Sequence, residues 1–349
     1  MDGAESLQME LFAQAAQLVG GVASAAAALA DELGQTVAQA PPSSSAAPPA
    51  RLQRPIKPAP RDQMKLCVLG SGSGGNATVI HHAGRHLLLD AGFGPRTTVQ
   101  RLAQAGLSLT DLDAVCVTHF DTDHFRRSWI RVMVDLGLPL YCHHWHLPDL
   151  RRVQNNQQLF DADLVRAFED EPFTLWPGLE VRPVRLQHDR QGTIGYRLDT
   201  PATSIGFATD LGHAPEHLCR HLAGVDLLCI ESNYDERMTK LSSRPAFVNR
   251  RNLSDSGHLS NDQSLAAVQR IGELSAHGNP RRVVLLHRSS QCNHPTKVRR
   301  CFEQDPRLAR RIIQTDQRRR SRWITAPPLP AVRRRQVPLA ACSLTLGLA

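Results

Sequence analysis

The chain has 349 residues and a formal net charge of +8, and 41% of its residues are hydrophobic, a composition typical of a globular protein. It contains no apolar run long enough to span a bilayer, and its amino terminus lacks the basic pattern of a secretory signal, so we expect no membrane partner. The eight cysteines are scattered without a CxxC pair, which favours reduced thiols and a cytoplasmic location over a disulfide framework.

Composition divides the chain into three segments. Residues 1–63 are rich in alanine, proline and serine, and we expect an isolated helix or disordered extension that ends in a linker. A catalytic domain is predicted over 64–317, where short apolar runs alternate with glycine-rich turns. Residues 318–349 carry seven arginines and no acidic residue, which predicts a disordered tail, with binding to a phosphate backbone as the alternative.

Two batches of strands are predicted along the central domain. The runs KLCVLG, ATVIHH, HLLLDAG and AVCVTH form the first batch, and VRPVRL, GYRLD, SIGFATD, LLCIES and VVLLH form the second. Helical patterns lie between and after them, at 96–106, 125–136, 215–222, 261–274 and 295–303. Strands in two batches with helices outside them predict an α/β fold, an αββα four-layer sandwich.

The densest group of chemically active side chains is the string THFDTDH, directly after the AVCVTH strand. It places His119, Asp121, Asp123 and His124 in one short loop. Imidazole nitrogens and carboxylate oxygens are the usual protein ligands of zinc, manganese and iron. A helix amino terminus whose acidic residues favour the dipole is the alternative explanation. We predict a metal site in this loop.

The HxDxDH pattern of this loop resembles the HxHxDH motif of the metallo-β-lactamase superfamily. HLLLDAG, LQHD, FATDLGH and VVLLH resemble the other motifs of that superfamily, in the same order. The resemblance implies the metallo-β-lactamase fold and two divalent metal ions, with Asp210 bridging them and Asp90 as a structural acid beside the site. The implied metal ligands are His119, Asp121, Asp123, His124, His188, Asp210 and His287.

A narrower resemblance covers roughly residues 64–305. The strings SGSGGN, ATDLGH, CIESNYDE and LSDSGHLSN are similar, in this order, to strings of the WalJ/YycJ group of that superfamily. This implies a bacterial, cytoplasmic, two-metal hydrolase of a group proposed to be DNA exonucleases. SGHLS also resembles the Ser-Gly-His motif of β-CASP nucleases, which implies that His258 lies beside the scissile phosphate.

Two residues depart from the family pattern. Asp121 stands where the family usually has a second histidine, and a carboxylate there is expected to shift the metal preference from zinc toward manganese or iron, or to leave that site weakly filled. Tyr234 stands in ESNYDE where the group usually has a histidine, so no role of that histidine carries over.

The predicted activity is hydrolysis of a phosphodiester, with a nucleic acid as the partner. Two cations bridged by Asp210 are expected to lower the pKa of a water between them, and the hydroxide would attack phosphorus. Asp121 or Asp123 is the candidate to orient that water, and His258 is the candidate general acid. A hydrolase of small esters, lactones or thioesters, and a non-catalytic binding protein with an altered metal site, are the alternatives.

Other candidate site residues lie outside the metal motifs. Asn76, in the glycine-rich turn SGSGGN, is predicted to approach the metal loop and to contact substrate. Arg250 and Arg251 precede SGHLS and are predicted to hold a nucleic-acid backbone, with a solvated loop as the alternative. His213 follows Asp210 closely and is predicted to support the ligands from behind. No oligomeric state is predicted.

Overall fold

The structure, a computed structural model, describes residues 63–326, so nearly all of the predicted amino-terminal extension and residues 327–349 of the predicted tail lie outside the described residues. Its strands are β1 (Lys65–Gly70), β2 (Ala77–His82), β3 (Arg85–Leu89), β4 (Ala114–Cys116), β5 (Leu140–His143), β6 (Val165–Phe168), β7 (Phe173–Trp176), β8 (Leu179–Leu186), β9 (Thr193–Asp199), β10 (Ser204–Ala208), β11 (Leu227–Glu231), β12 (Arg282–Leu286), β13 (Ile312–Gln314) and β14 (Ile324–Thr325).

The helices of the same part of the chain lie between these strands. They are α1 (Pro95–Gln104), α2 (Trp129–Leu136), α3 (Leu147–Leu150), α4 (Gln157–Asp161), α5 (Glu216–His221), α6 (Glu236–Lys240), α7 (Ala246–Asn252), α8 (Asn261–Glu273), α9 (Pro295–Phe302) and α10 (Pro306–Ala309), with short 3-10 helices at Leu109–Asp111 and His144–His146. No helix among residues 63–326 is long and apolar enough to cross a membrane.

The strands form two sheets of seven strands each. Their orders are β14-β1-β2-β3-β4-β5-β6 and β13-β12-β11-β10-β9-β8-β7. In each sheet the earlier strands pair antiparallel, through β3 in the first and through β10 in the second, and the strands that follow pair parallel. The exception is the edge strand β14, which pairs antiparallel with β1. The two halves of the domain therefore repeat one plan, in which parallel strands bring their carboxyl ends to one edge of each sheet.

Three apolar layers separate the sheets and helices. In β1, Leu66 and Val68 pack between the two sheets, whereas Cys67 and Leu69 pack against the helices outside the first sheet. A third apolar cluster joins the second sheet to its own helices. Strands that are buried on both faces explain why KLCVLG is a continuous apolar run rather than an alternating one. The predicted αββα four-layer sandwich is confirmed.

The domain continues beyond the end predicted at residue 317. Ser321 accepts a hydrogen bond from the backbone of Val68 through Oγ at 3.0 Å, and Ile324 pairs with Leu66 in the β14–β1 ladder. Trp323 donates its indole N–H to the carbonyl of Ala105 at 3.1 Å. The density of arginine in this stretch concealed an edge strand, so the prediction of disorder from 318 onward was wrong for residues 318–326.

The described cysteines are buried and unpaired. The free thiols are those of Cys67, Cys116, Cys142, Cys219, Cys229, Cys292 and Cys301. Burial raises the pKa of Cys116, Cys142 and Cys229, so these thiols behave as small apolar groups of the core. They fit the expectation of reduced thiols, while the cytoplasmic location stays a prediction.

Replacing Ile324 by alanine tests whether β14 belongs to the folded domain. Ile324 is 6% exposed and packs in the layer between the sheets, so its truncation should lower the free energy of unfolding by about 2 to 4 kcal/mol in a urea titration. Thr325→Ala, on the exposed face of the same strand, is the control and should change it by less than about 0.5 kcal/mol. Equal effects of the two variants would show that β14 does not hold the fold.

Candidate metal centre

The predicted ligands lie where strands of both sheets end. His119 follows β4, and Asp210, His287 and His188 follow β10, β12 and β8. Ligands in α/β proteins gather at the carboxyl ends of parallel strands. Asp210 and His287 both have φ +53, in the left-handed region that non-glycine residues seldom adopt. Such turns redirect the chain sharply at the strand end, and backbone strain of this kind is concentrated at functional sites.

A first cluster is formed by His119, Asp121 and His188, whose ligand atoms all lie within 4.8 Å of one another. His119 Nε2 is 3.7 Å from Asp121 Oδ2, and the rings of His119 and His188 are 5.4 Å apart. The two histidines are buried, whereas the Asp121 side chain is 43% exposed. Asp121 is therefore the member of this cluster that faces the open side of the site.

A second cluster is formed by Asp123, His124 and His287, again with ligand atoms within 4.8 Å of one another. Asp123 Oδ2 is 3.3 Å from His287 Nε2 and 3.8 Å from His124 Nε2. Asp210 joins the clusters, because it groups with His119 and His124 and also with His287. Its Oδ2 is 2.6 Å from His124 Nε2, and its Oδ1 is 3.3 Å from His287 Nδ1.

Hydrogen bonds behind the clusters orient three of the imidazoles. Nδ1 of His119 lies 3.0 Å from the Thr118 hydroxyl, and Nδ1 of His188 lies 3.0 Å from the carbonyl of Gly257. Nδ1 of His124 lies 2.8 Å from the Asp90 carboxylate. In each ring Nε2 is turned to the site, as in metal-binding histidines. Nε2 of His124 also lies 3.0 Å from the side-chain nitrogen of Asn76. The mixed nitrogen and oxygen donors are consistent with a metal site.

Asp90 lies behind His124, as the family pattern implied. Its carboxylate also accepts the backbone N–H of Thr118 at 2.8 Å, so it joins the end of β3 to the end of β4. Gly92, two residues after Asp90, lets the loop of Asp123 approach this part of the chain. A Cβ at Gly92 would overlap the carbonyl of Asp123. Glycine is therefore required at that position, since any side chain would push the loop away.

The buried acids and histidines of the site shift one another's pKa values. Burial alone would raise the pKa of Asp210, but the imidazoles of His287 and His124 outweigh it and hold that pKa well below its usual range. Burial lowers the pKa of His124, but Asp210 and Asp90 outweigh this and raise it well above its usual value. The pKa of His119 is lowered by burial and by the neighbouring His124. The Asp210 carboxylate is thus held ionised among histidines, as a cation ligand must be.

The sequence prediction missed Glu231, which ends β11 and is fully buried. Its Oε1 lies 2.8 Å from His258 Nδ1 and 3.2 Å from His287 Nδ1. Its Oε2 accepts the backbone N–H of Leu211 at 3.0 Å. Burial lowers the pKa of His258, but Glu231 and Asp210 raise it to about 9 overall. An acidic residue closing the apolar run LLCIE was the available indication, because buried carboxylates need a partner.

His258 is held in place by the start of a helix. Two residues later, Ser260 caps α8, since its Oγ accepts the N–H of Gln263 at 3.1 Å while the Gln263 side chain accepts the N–H of Ser260 at 2.8 Å. Tyr234, the second departure from the family pattern, is buried and its hydroxyl reaches Gln263 at 3.5 Å. Tyr234 thus packs against this cap.

Three further predicted residues lie around the clusters. Asn76 is buried and its side chain donates to the carbonyl of Asp123 at 3.3 Å, so it approaches the metal loop, while its contact with substrate stays a prediction. Arg251 is exposed but paired with Asp189, with Nε at 2.7 Å from the carboxylate. His213 reaches the carbonyl of Asp255 at 3.0 Å, so it holds the loop before SGHLS rather than a predicted ligand. Burial, ion pairing and a loop contact are properties that spacing along the chain does not reveal.

Comparison with known families agrees with this geometry. A family model described as the Beta-lactamase superfamily domain matches residues 85–288, more than half of the chain. The chain belongs to the metallo-β-lactamase superfamily. It is 27% identical over 210 residues to the exodeoxyribonuclease YycJ of Bacillus anthracis, covering 59% of this chain and 76% of that protein. It is 26% identical over 254 residues to the exodeoxyribonuclease WalJ of Streptococcus pneumoniae, covering 69% and 89%.

Solved structures show the same fold at lower identity. The metallo-β-lactamase fold protein YhfI of Bacillus subtilis covers 74% of this chain and 99% of its own, with a TM-score of 0.55 and 15% identity. The short form of human tRNase Z covers 75% of this chain and 99% of its own, with a TM-score of 0.51 and 17% identity. These likenesses carry the fold of the superfamily to this chain and nothing finer.

Replacing Asp90 by asparagine tests the support of His124. Removing the charge behind the imidazole should weaken manganese binding roughly 10- to 100-fold, because the ring loses its orientation and basicity. The dissociation constant is measured by calorimetry on metal-stripped protein. Asp135→Asn, on the exposed face of α2, is the control and should bind as the parent does. Unchanged affinity in Asp90→Asn would show that Asp90 has no part in the metal centre.

Proposed function

We propose that this chain is a two-metal-dependent phosphodiesterase that degrades nucleic acid, with the character of a DNA exonuclease. The observation that carries the proposal is the pair of ligand clusters with Asp210 between them, since Asp210 groups with His119 and His124 and also with His287. His258 lies directly beside them, at 3.3 Å from Asp210. The similarity to curated exodeoxyribonucleases supports the choice of DNA as substrate. Zinc, manganese or iron suits the donors, and the exposed Asp121 favours manganese or iron.

The candidate ligands can be assigned to two cation sites and to the attacking water. His119, Asp121 and His188 would hold one cation, Asp123, His124 and His287 the other, with Asp210 between them. Two such cations lower the pKa of a bound water and neutralise charge on the phosphate oxygens. Asp121 and Asp123 reach the open side of the site, 43% and 25% exposed, and either carboxylate would orient the attacking water.

His258 is the proposed proton donor to the leaving oxygen. Its Nδ1 is bound to Glu231 at 2.8 Å, and its side chain is 16% exposed, so its other ring nitrogen is the one left to meet a substrate. Glu231 contacts no open surface, because it is fully buried. We therefore assign Glu231 as a positioning residue, which fixes the ring and keeps it protonated.

The first test combines metal content with hydrolysis. Protein loaded with manganese or zinc should hold about two metal ions per chain and should cleave bis-p-nitrophenyl phosphate and end-labelled linear DNA. Asp210→Ala should lose at least one ion and reduce cleavage at least about 1,000-fold, because both clusters depend on it. Asp135→Ala serves as the control.

Each other outcome identifies an alternative. Bound metal with hydrolysis of a lactone or thioester panel but no phosphodiester cleavage would replace the proposal by a small-ester hydrolase. Neither metal nor hydrolysis would leave a non-catalytic binding protein. Cleavage of closed circular DNA at the rate of linear DNA would contradict exonuclease action, and cleavage of RNA alone would change the polymer.

Substrates with different leaving groups test the role of His258. His258→Ala should slow cleavage of DNA roughly 100- to 10,000-fold, because the departing alkoxide needs a proton. The same variant should slow bis-p-nitrophenyl phosphate by less than about tenfold, because nitrophenolate leaves without protonation. Glu231→Gln should also slow the cleavage of DNA more than that of bis-p-nitrophenyl phosphate, but by a smaller factor. His217→Ala, an exposed histidine of α5, is the control. An equal loss on both substrates would contradict proton donation.

A further inference from the structure

We propose that the cavity beside the first ligand cluster is a nucleobase pocket, which receives the base adjoining the phosphate under attack. The inference rests on the proposed phosphodiesterase function and assigns part of its substrate. The cavity has a volume of about 550 Å³, and its lining includes His119 and Asp121. Its volume lies in the range of small-molecule sites, and its position makes any occupant a neighbour of the metal centre.

The wall of the cavity is apolar and partly aromatic. Phe120, Phe125 and Val153 line it, and the two rings meet edge to face with centroids 5.2 Å apart. Phe125 is buried, whereas Phe120 is only half-buried and presents surface to the cavity. Phenylalanine rings beside a charged centre suit a flat, weakly polar group, and stacking of a base on an aromatic ring accepts any base.

Arginines on the rim supply the charge that a nucleotide needs. Arg126, Arg127 and Arg152 line the cavity and all are exposed. Arg126 donates a hydrogen bond from Nε to the carbonyl of Gly92 at 2.7 Å, and Arg152 donates one to the Asp149 carboxylate at 2.9 Å. Within residues 63–326 Arg127 has no ion-pair partner, so its guanidinium can meet a phosphate. An acyl or lactone substrate would not require these three arginines.

A second cavity adjoins this one on the side of the SGHLS string. Gln191 lines both this cavity and a second one of about 420 Å³, which is also lined by Asp189, Arg190 and Ser256. Ser256 lies two residues before His258 in the SGHLS string. A nucleotide with its base against Phe120 would thus place its phosphate at the metal clusters and its leaving oxygen on the His258 side.

The test compares two phosphates that differ only in the base. Thymidine 5′-monophosphate and 2-deoxyribose 5-phosphate are titrated calorimetrically into the full chain in saturating manganese. Thymidylate should bind at least about tenfold more tightly, the size expected for one stacked base. Val153→Trp fills the cavity and should reduce this ratio to less than about threefold. Gln154→Trp, at an exposed lining residue, should act in the same direction if the first variant folds poorly.

A matched tryptophan at a remote site controls for the substitution itself. Val99→Trp, on the exposed face of α1, should keep the parent ratio. A ratio near one in the parent, or one that neither filling variant lowers, overturns the pocket. This result is independent of catalysis: a base preference without phosphodiester cleavage would keep the pocket and end the proposed function. Cleavage of DNA without a base preference would end the pocket and keep the proposed function.

Discussion

The constraint on which the rest of the site depends is the burial of Asp210 between two groups of histidines. Its carboxylate is 2% exposed and lies 2.6 Å from His124 and 3.3 Å from His287. A buried charge is tolerated only with partners, so the chain must bring those imidazoles to it. The two sheets do so by ending β4, β10 and β12 at one edge. Backbone turns with positive φ at Asp210 and His287 then aim the side chains inward.

The layered core makes that convergence rigid. Strands buried on both faces fix their register, because a slip by one residue would move apolar side chains out of their layer. Behind the candidate ligands, Asp90 holds His124 and Gly257 holds His188. The ligands are thus held from behind by groups that a metal would not touch, and a cation would enter a site that is already assembled.

Much of this arrangement was predictable because it follows short-range patterns. Apolar runs gave β1 to β4 of the first sheet and β8 to β12 of the second, and THFDTDH gave four members of the clusters. Glu231 was missed because a single acid at a strand end has no spacing pattern, and its partner His258 is 27 residues away in sequence. The strand β14 was missed because arginines around it outweighed two apolar residues. Pairing with β1, more than 250 residues earlier, decides its structure.

The proposed function depends on Asp210 joining two cations into a single centre. Electron paramagnetic resonance of the manganese-loaded chain tests it directly, since two manganese ions bridged by a carboxylate are exchange-coupled. A coupled spectrum is expected in the parent protein, replaced by that of isolated ions in Asp210→Ala. A parent spectrum of isolated manganese alone, at full metal loading, would contradict it.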